Sequence, residues 1–139
     1  MRSNAPEISR IFTAIHAPNE FTIRAGDDGG LSIVRDETNT TVTLQQMSTG
    51  QRAAYALSLF LAMNCRLRSG PPLILMDDPI AHIDDLNILS FLDHLRELAI
   101  NGSRQIFLAT ADDKLAALFR QKFLFLGSDR FKEVSLSRD

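Results

Sequence analysis

Four apolar residues, Leu73-Ile74-Leu75-Met76, run directly into Asp77-Asp78-Pro79, with His82 and Asp84 close behind. An apolar run of this length reads as a buried strand of a parallel sheet, and α/β sheets bind ligands at the carboxyl ends of such strands. One carboxylate placed there can hold a hydrated Mg²⁺ while the next polarises an attacking water, which gives Asp77 the metal side and Asp78 the water side. The same residues also fit a plain turn, because Asp-Pro favours turn initiation. A hydrolytic metal site built from Asp77, Asp78, His82 and Asp84 is a further arrangement compatible with these residue types.

The second candidate is Ser48-Thr49-Gly50-Gln51. Ser-x-x-Gln is a capping box, so Ser48 and Gln51 are accounted for by a helix start. Gly50 is not, since glycine inside a helix costs about 1 kcal/mol relative to alanine. A glycine in the first turn leaves backbone N–H groups open to close approach by an anion. A structural cap and a phosphate-facing turn are both consistent with the four residues.

The elements that must position these groups follow from periodicity. Pro6 suits a first helical position, and Ile8, Ile11, Phe12 and Ile15 give a short amphipathic helix over 6–16, stopped by Ala17-Pro18-Asn19. Phe21 and Ile23 alternate with polar residues, Asp27-Asp28-Gly29-Gly30 forms a turn, and Leu31, Ile33 and Val34 complete a hairpin. Thr40 to Leu44 reads as a third strand. The helix from Gly50 to Arg68 is apolar nearly all round, which predicts cover on most sides and a central place. Asp84 caps a helix carrying Leu86, Leu89, Leu92, Leu95 and Leu98 that ends at Asn101-Gly102. Gln105 to Ala109 reads as a second buried strand, and Asp112 caps a helix with Leu115, Ala116, Leu118 and Phe119. Phe123 to Leu126 and Phe131 to Leu136 read as two final strands around a Gly127-Ser128-Asp129 turn. The alternation of strand and helix predicts parallel α/β construction in the second half, with an antiparallel portion in the first.

Composition sets the bounds. A chain of 139 residues with 45% apolar and 23% charged residues is expected to form one domain over 1–139, with the helix and antiparallel strands in 1–44 and the α/β core in 45–139. A net charge of −2, from 12 Arg and 3 Lys against 17 acids, makes no electrostatic case for nucleic acid. Cys65 is the single cysteine, so no internal disulfide framework exists, and its apolar helix suggests a small buried core residue. MRSNAPEISR lacks the apolar centre of a signal peptide, and the run from Ala53 to Cys65 is too short to span a bilayer, so a cytoplasmic protein without membrane contact is expected.

Taken in order, these motifs resemble a known family. Met47-Ser48-Thr49-Gly50-Gln51-Arg52 resembles the signature motif of ABC-type ATPases, Leu73 to Asp78 their Walker B strand, and Ile83-Asp84 their D-loop. With QIFLAT following, the pattern over residues 44–126 is similar to the SMC, RecN and RecF ATPases of DNA repair and chromosome maintenance. The resemblance implies an α/β fold, a partial P-loop NTPase corresponding to the carboxyl-terminal lobe of an ABC ATPase head, with a mostly parallel core sheet flanked by helices and an amino-terminal antiparallel hairpin. It implies that Ser48, Thr49, Gly50 and Gln51 face the γ-phosphate of an ATP held by a second protomer. Asp77 would then hold Mg²⁺ through water, Asp78 would stand at the catalytic position, and Asp84 would act across a head-to-head homodimer. In that family two heads sandwich two ATP molecules and control coiled coils that engage DNA.

Two positions depart from the family pattern: Asp78 stands where Glu is usual, and Ala111 stands where a switch histidine is expected after the strand QIFLAT. A P-loop requires Gly-x-x-x-x-Gly-Lys-Ser/Thr, and none of Lys114, Lys122 and Lys132 follows a glycine. The 139 residues are therefore expected to need a Walker A-bearing amino-terminal lobe, in cis or in trans, before ATP and Mg²⁺ bind. Alone they are expected to be inactive. The alternative is a non-catalytic interaction module that keeps the fold without hydrolysing nucleotide.

Overall fold

The computed structural model describes residues 4–101 and 104–136. Its elements are α1 (Ala5–Ile15), β1 (Phe21–Ala25), β2 (Leu31–Arg35), β3 (Thr40–Val42), a 3-10 turn (Leu44–Gln46), α2 (Thr49–Arg66), β4 (Leu73–Asp77), α3 (Asp85–Ile100), β5 (Gln105–Ala109), α4 (Asp113–Phe123) and a second 3-10 turn (Leu124–Leu126). β1, β2 and β3 form an antiparallel three-stranded sheet, with Ile23 opposite Ile33 and Ile33 opposite Val42. β4 and β5 form a parallel pair in which Leu75 faces Phe107 and Asp77 faces Ala109. The α/β class and the expected division between an antiparallel first part and a parallel second part are both present.

The centre of the packing is α1, not α2. The apolar stripe of α1 is buried completely at Ile8, Ile11, Phe12 and Ile15, and the helix packs on α2, β1 and α3. Each such side chain contributes about 1.5–3 kcal/mol of burial. Phe91, Leu92 and Leu95 of α3 and Leu61 and Ala62 of α2 join the same cluster, which also takes in Phe21 and Ile23 from one sheet and Ile74 and Met76 from the other.

Helix α2 does not have the cover on most sides that its composition predicts. It buries one face, Ala54, Ser58, Leu61 and Ala62, while Phe60, Met63 and the capping Leu67 stay 39%, 53% and 59% exposed. An apolar helix side stays wet when nothing is packed against it, and α1 covers only one side. Cys65 is likewise half-buried rather than a core residue, with its thiol pKa raised chiefly by burial.

The carboxyl end departs from the strand expectation. α4 continues through Phe123, residues 124–126 form the 3-10 turn, and residues 131–136 carry no regular structure. Aromatic stacking accounts for the difference: Phe119 and Phe123, four apart on α4, stack at 4.2 Å, and Phe131 lies 6.0 and 6.5 Å from them. The apolar run is thus used as a helix end. The third strand is also shorter than expected, because Thr43 and Gln46 close a capping box that turns the chain at Leu44. α3 ends at Ile100 with Asn101 as its cap; the expected stop at Gly102 lies outside the described residues.

Candidate functional site

Ser48 is the N-cap of α2. Its Oγ accepts from the Gln51 backbone N–H at 3.2 Å, and Gln51 Oε1 accepts from the Ser48 N–H at 2.8 Å. Gln51 also donates through Nε2 to Glu20 Oε2 at 2.7 Å, which ties the turn to the approach of β1. The capping box predicted from sequence is therefore complete. Ser48 and Thr49 remain exposed at the amino end of an 18-residue helix, where unpaired N–H groups and the helix dipole favour an anion.

Gly50 has a packing reason that sequence did not show. A Cβ built on it would lie 3.1 Å from the carbonyl oxygen of His82, tighter than side chains normally approach backbone. The absent side chain lets the first turn of α2 close on the loop between β4 and α3. The Ser48–Gln51 turn and the loop 78–84 are thus brought together.

Asp77 ends β4 with an exposed carboxylate that forms no hydrogen bond or ion pair among the described residues. Asp78 is also exposed, but its carboxylate is engaged. Its φ is +42°, a left-handed conformation that non-glycine residues adopt at a cost of about 1 kcal/mol, and that Asp and Asn tolerate best. Its N–H donates to Ala109 O at 2.9 Å and its Oδ1 accepts from the Ala111 N–H at 3.2 Å. One side chain therefore fastens the turn after β4 to the turn after β5. Position 111, where the resemblance leads one to expect a histidine, presents only its backbone to this carboxylate.

Asp84 caps α3 as its residue type predicts, with Oδ1 accepting from the Asn87 N–H at 3.0 Å. Its second oxygen accepts from Asn87 Nδ2 at 2.7 Å. Asn87 is 2% exposed, and its Oδ1 accepts from the Ala17 N–H at 2.7 Å, joining α3 to the segment after α1. The leucine periodicity of α3 does not single out Asn87. Its position among Ile88, Phe91 and Leu92, three residues after a capping Asp, was the available sign of a buried role.

Among the described residues no group of three or more His, Cys, Asp and Glu side chains could hold a metal ion. This removes the stand-alone metal site of Asp77, Asp78, His82 and Asp84, and the hydrogen bonds explain it: the Asp78 and Asp84 carboxylates point to separate backbone and side-chain donors. The free carboxylate of Asp77 suits a single, water-bridged contact to a cation held mainly by other groups. No helix among the described residues is long and apolar enough to cross a membrane.

No protein-family model matches the chain. Over 69 residues, half of its length, it is 36% identical to an uncharacterized ABC transporter ATP-binding protein of Mycobacterium tuberculosis, in the strains CDC 1551 / Oshkosh and ATCC 25618 / H37Rv. The match spans 19% of those relatives. Among solved structures, 84% of the chain superposes on 71% of an SMC ATPase studied for ATP-driven dimerization and DNA-stimulated activation, with a TM-score of 0.65 and 24% identity. The Smc head domain of Pyrococcus furiosus bound to the C-terminal domain of ScpA gives a TM-score of 0.62 at 23% identity, over 84% of this chain and 30% of that one. The SMC head domain of Thermotoga maritima gives 0.61 at 18% identity, over 88% and 41%. The chain described here therefore has the fold of SMC and ABC-type ATPase heads, and spans the carboxyl-terminal lobe of that fold.

Proposed function

We propose that residues 1–139 act as one unit that supplies the signature turn, Walker B strand and D-loop to a composite ATPase, completed by a Walker A-bearing lobe in cis or in trans. The observation that carries this reading is the contact of Gly50 with the His82 carbonyl, which joins the exposed Ser48–Gln51 turn to the loop beyond Asp77 within an SMC-head fold. In the composite, Ser48, Thr49, Gly50 and Gln51 bind the γ-phosphate of an ATP seated on a second head. Asp77 binds Mg²⁺ through water and Asp78 orients the attacking water. Mg²⁺, when bound, neutralises charge on the phosphates. Asp84 holds the amino end of α3 where the two heads of a head-to-head homodimer meet. The parent assembly is a cytoplasmic, coiled-coil ATPase of the SMC or RecN kind, serving DNA repair or chromosome maintenance, with DNA engaged through the parent protein.

The test is ATP turnover by the chain alone and after joining to a Walker A-bearing lobe. The chain alone is expected to be inactive and the joined form active, with activity reduced about 100-fold or more in Asp78→Asn, the scale of losing a positioned general base. Equal turnover by the joined form and its Asp78→Asn variant refutes the assignment.

One observation favours a second reading, a non-catalytic interaction module: the Asp78 carboxylate is occupied by the Ala111 N–H. A joined head that binds ATP yet hydrolyses none selects this reading.

A further inference from the structure

Four aspartates crowd residues 77–85, and no Lys or Arg occurs between Arg68 and Arg96. Two histidines are the only side chains in that interval able to carry a positive charge, and His94 is buried at 5% exposure. His82 is exposed, and among the described residues its imidazole forms no hydrogen bond or ion pair.

The backbone that carries this imidazole is held from both sides. Ile83 N donates to Ile80 O at 3.0 Å, closing a turn whose two ends are apolar: Ile80 is 7% exposed and Ile83 packs on the core cluster. Ala81 and His82, the central residues of the turn, are left at its exposed tip. The His82 carbonyl rests against Gly50, and Asp84, two residues on, caps α3. A side chain fixed at its root by two apolar anchors, a close backbone contact and a helix cap is positioned before any ligand arrives.

We propose that His82 is a catalytic residue acting in trans, donating an imidazole N–H to the γ-phosphate of the ATP seated on the opposite head, beside the Ser48–Gln51 turn. This rests on the composite-site reading above and adds a residue to it. The contact with Gly50 sets His82 next to the turn whose N–H groups favour an anion. The neighbouring Asp77, Asp78, Asp84 and Asp85 cannot donate when ionised, so without His82 the side chains of this loop offer a phosphate only like charge. Ala111, on the adjoining turn, has no side-chain donor and spends its N–H on Asp78. A donor already in place at the transferring phosphoryl group stabilises the charge spread over its oxygens in the transition state.

The test uses heads made by joining the chain to a Walker A-bearing lobe. Two are mixed, the first with Ser48→Arg and the second with a substituted Walker A lysine, so that only the first head's nucleotide meets an intact turn, on the second head. His82→Ala on the second head is expected to lower ATP turnover about 100-fold, and on the first head to leave it unchanged. Free imidazole added to that variant, or His82→Gln in its place, returns an N–H donor and should recover at least about tenfold of the loss, which a structural role for the loop would not give. Unchanged turnover with His82→Ala on the second head overturns the proposal and leaves the composite site standing. So does a loss that neither imidazole nor His82→Gln relieves, or one that arises from the first head. A mixture already inactive before His82 is altered refutes the composite-site reading and this proposal with it.

Discussion

Replacing Asn87 with alanine tests whether Asp84 acts as part of a structural network or as an independent surface group. The side chain is 2% exposed, accepts from the Ala17 N–H at 2.7 Å and donates to Asp84 Oδ2 at 2.7 Å. A hydrogen bond to a charged group contributes about 1.5–3 kcal/mol and a neutral one about 1 kcal/mol, so Asn87→Ala should lose about 3 kcal/mol of stability. Urea unfolding measures this directly through the midpoint at constant slope. Asn87→Asp refines the test, because it keeps the acceptor for Ala17 and sets a second carboxylate against Asp84. Repulsion raises the introduced carboxyl's pKa in the folded state, so the variant keeps its stability in acid and loses it as pH rises through that raised value. Adding Asp84→Asn restores a donor and an acceptor and should recover most of the loss in a double-mutant cycle. A cost below about 1 kcal/mol for Asn87→Ala, or no recovery in the double variant, refutes the network.

Further outcomes follow from single sites. His94 is 5% exposed with an unpartnered Nε2, and burial, aided by Arg10, holds its pKa below 6.5 against the opposite pull of Glu97 and Glu7. The unfolded chain therefore takes up the proton first, and stability should fall as pH drops below 6.5, by at most about 1.4 kcal/mol per pH unit from this group, with a shallower fall in His94→Phe. Gly50→Val forces a branched side chain against the His82 carbonyl and should cost about 1–3 kcal/mol in thermal or urea unfolding. Asp78→Asn keeps an acceptor for Ala111 N–H in a residue that tolerates positive φ, so its unfolding free energy should stay within about 0.5 kcal/mol of the parent, making any loss of turnover chemical.

The elements around the site were legible because their signals are local. Ser48 and Gln51 sit three apart, Asp84 and Asp112 precede helical periodicity, and the hairpin has its Asp28-Gly29 turn, so caps and turns read directly. What escaped reading depends on distant partners. Gly50 looked like a phosphate-facing glycine, and its contact with His82 follows only once the loop after β4 folds against α2. Asn87 finds its partner in Ala17, 70 residues away, and Asp78 meets Ala111 across 33 residues, so neither bond has a local signal. The run Phe123 to Leu126 read as a strand because short apolar runs carry no period of their own, and stacking of Phe119 on Phe123 decided for helix. The apolarity of α2 predicted cover on most sides and that of β4 and β5 predicted buried strands, whereas Phe60, Met63, Leu75 and Phe107 remain exposed. Composition measures the cover an element suits and is silent on whether this chain provides it.

The most direct test of the composite site mixes two inactive heads, each made by joining the chain to a Walker A-bearing lobe. One head carries Ser48→Arg and the other a substituted Walker A lysine. If the Ser48–Gln51 turn serves the ATP of the opposite head, the mixed dimer retains one site with an intact Walker A and an intact turn, and ATP turnover reappears at about half the parent value per mixed dimer. A mixture as inactive as its two components, or a Ser48→Arg head that hydrolyses ATP at the parent rate by itself, contradicts the account.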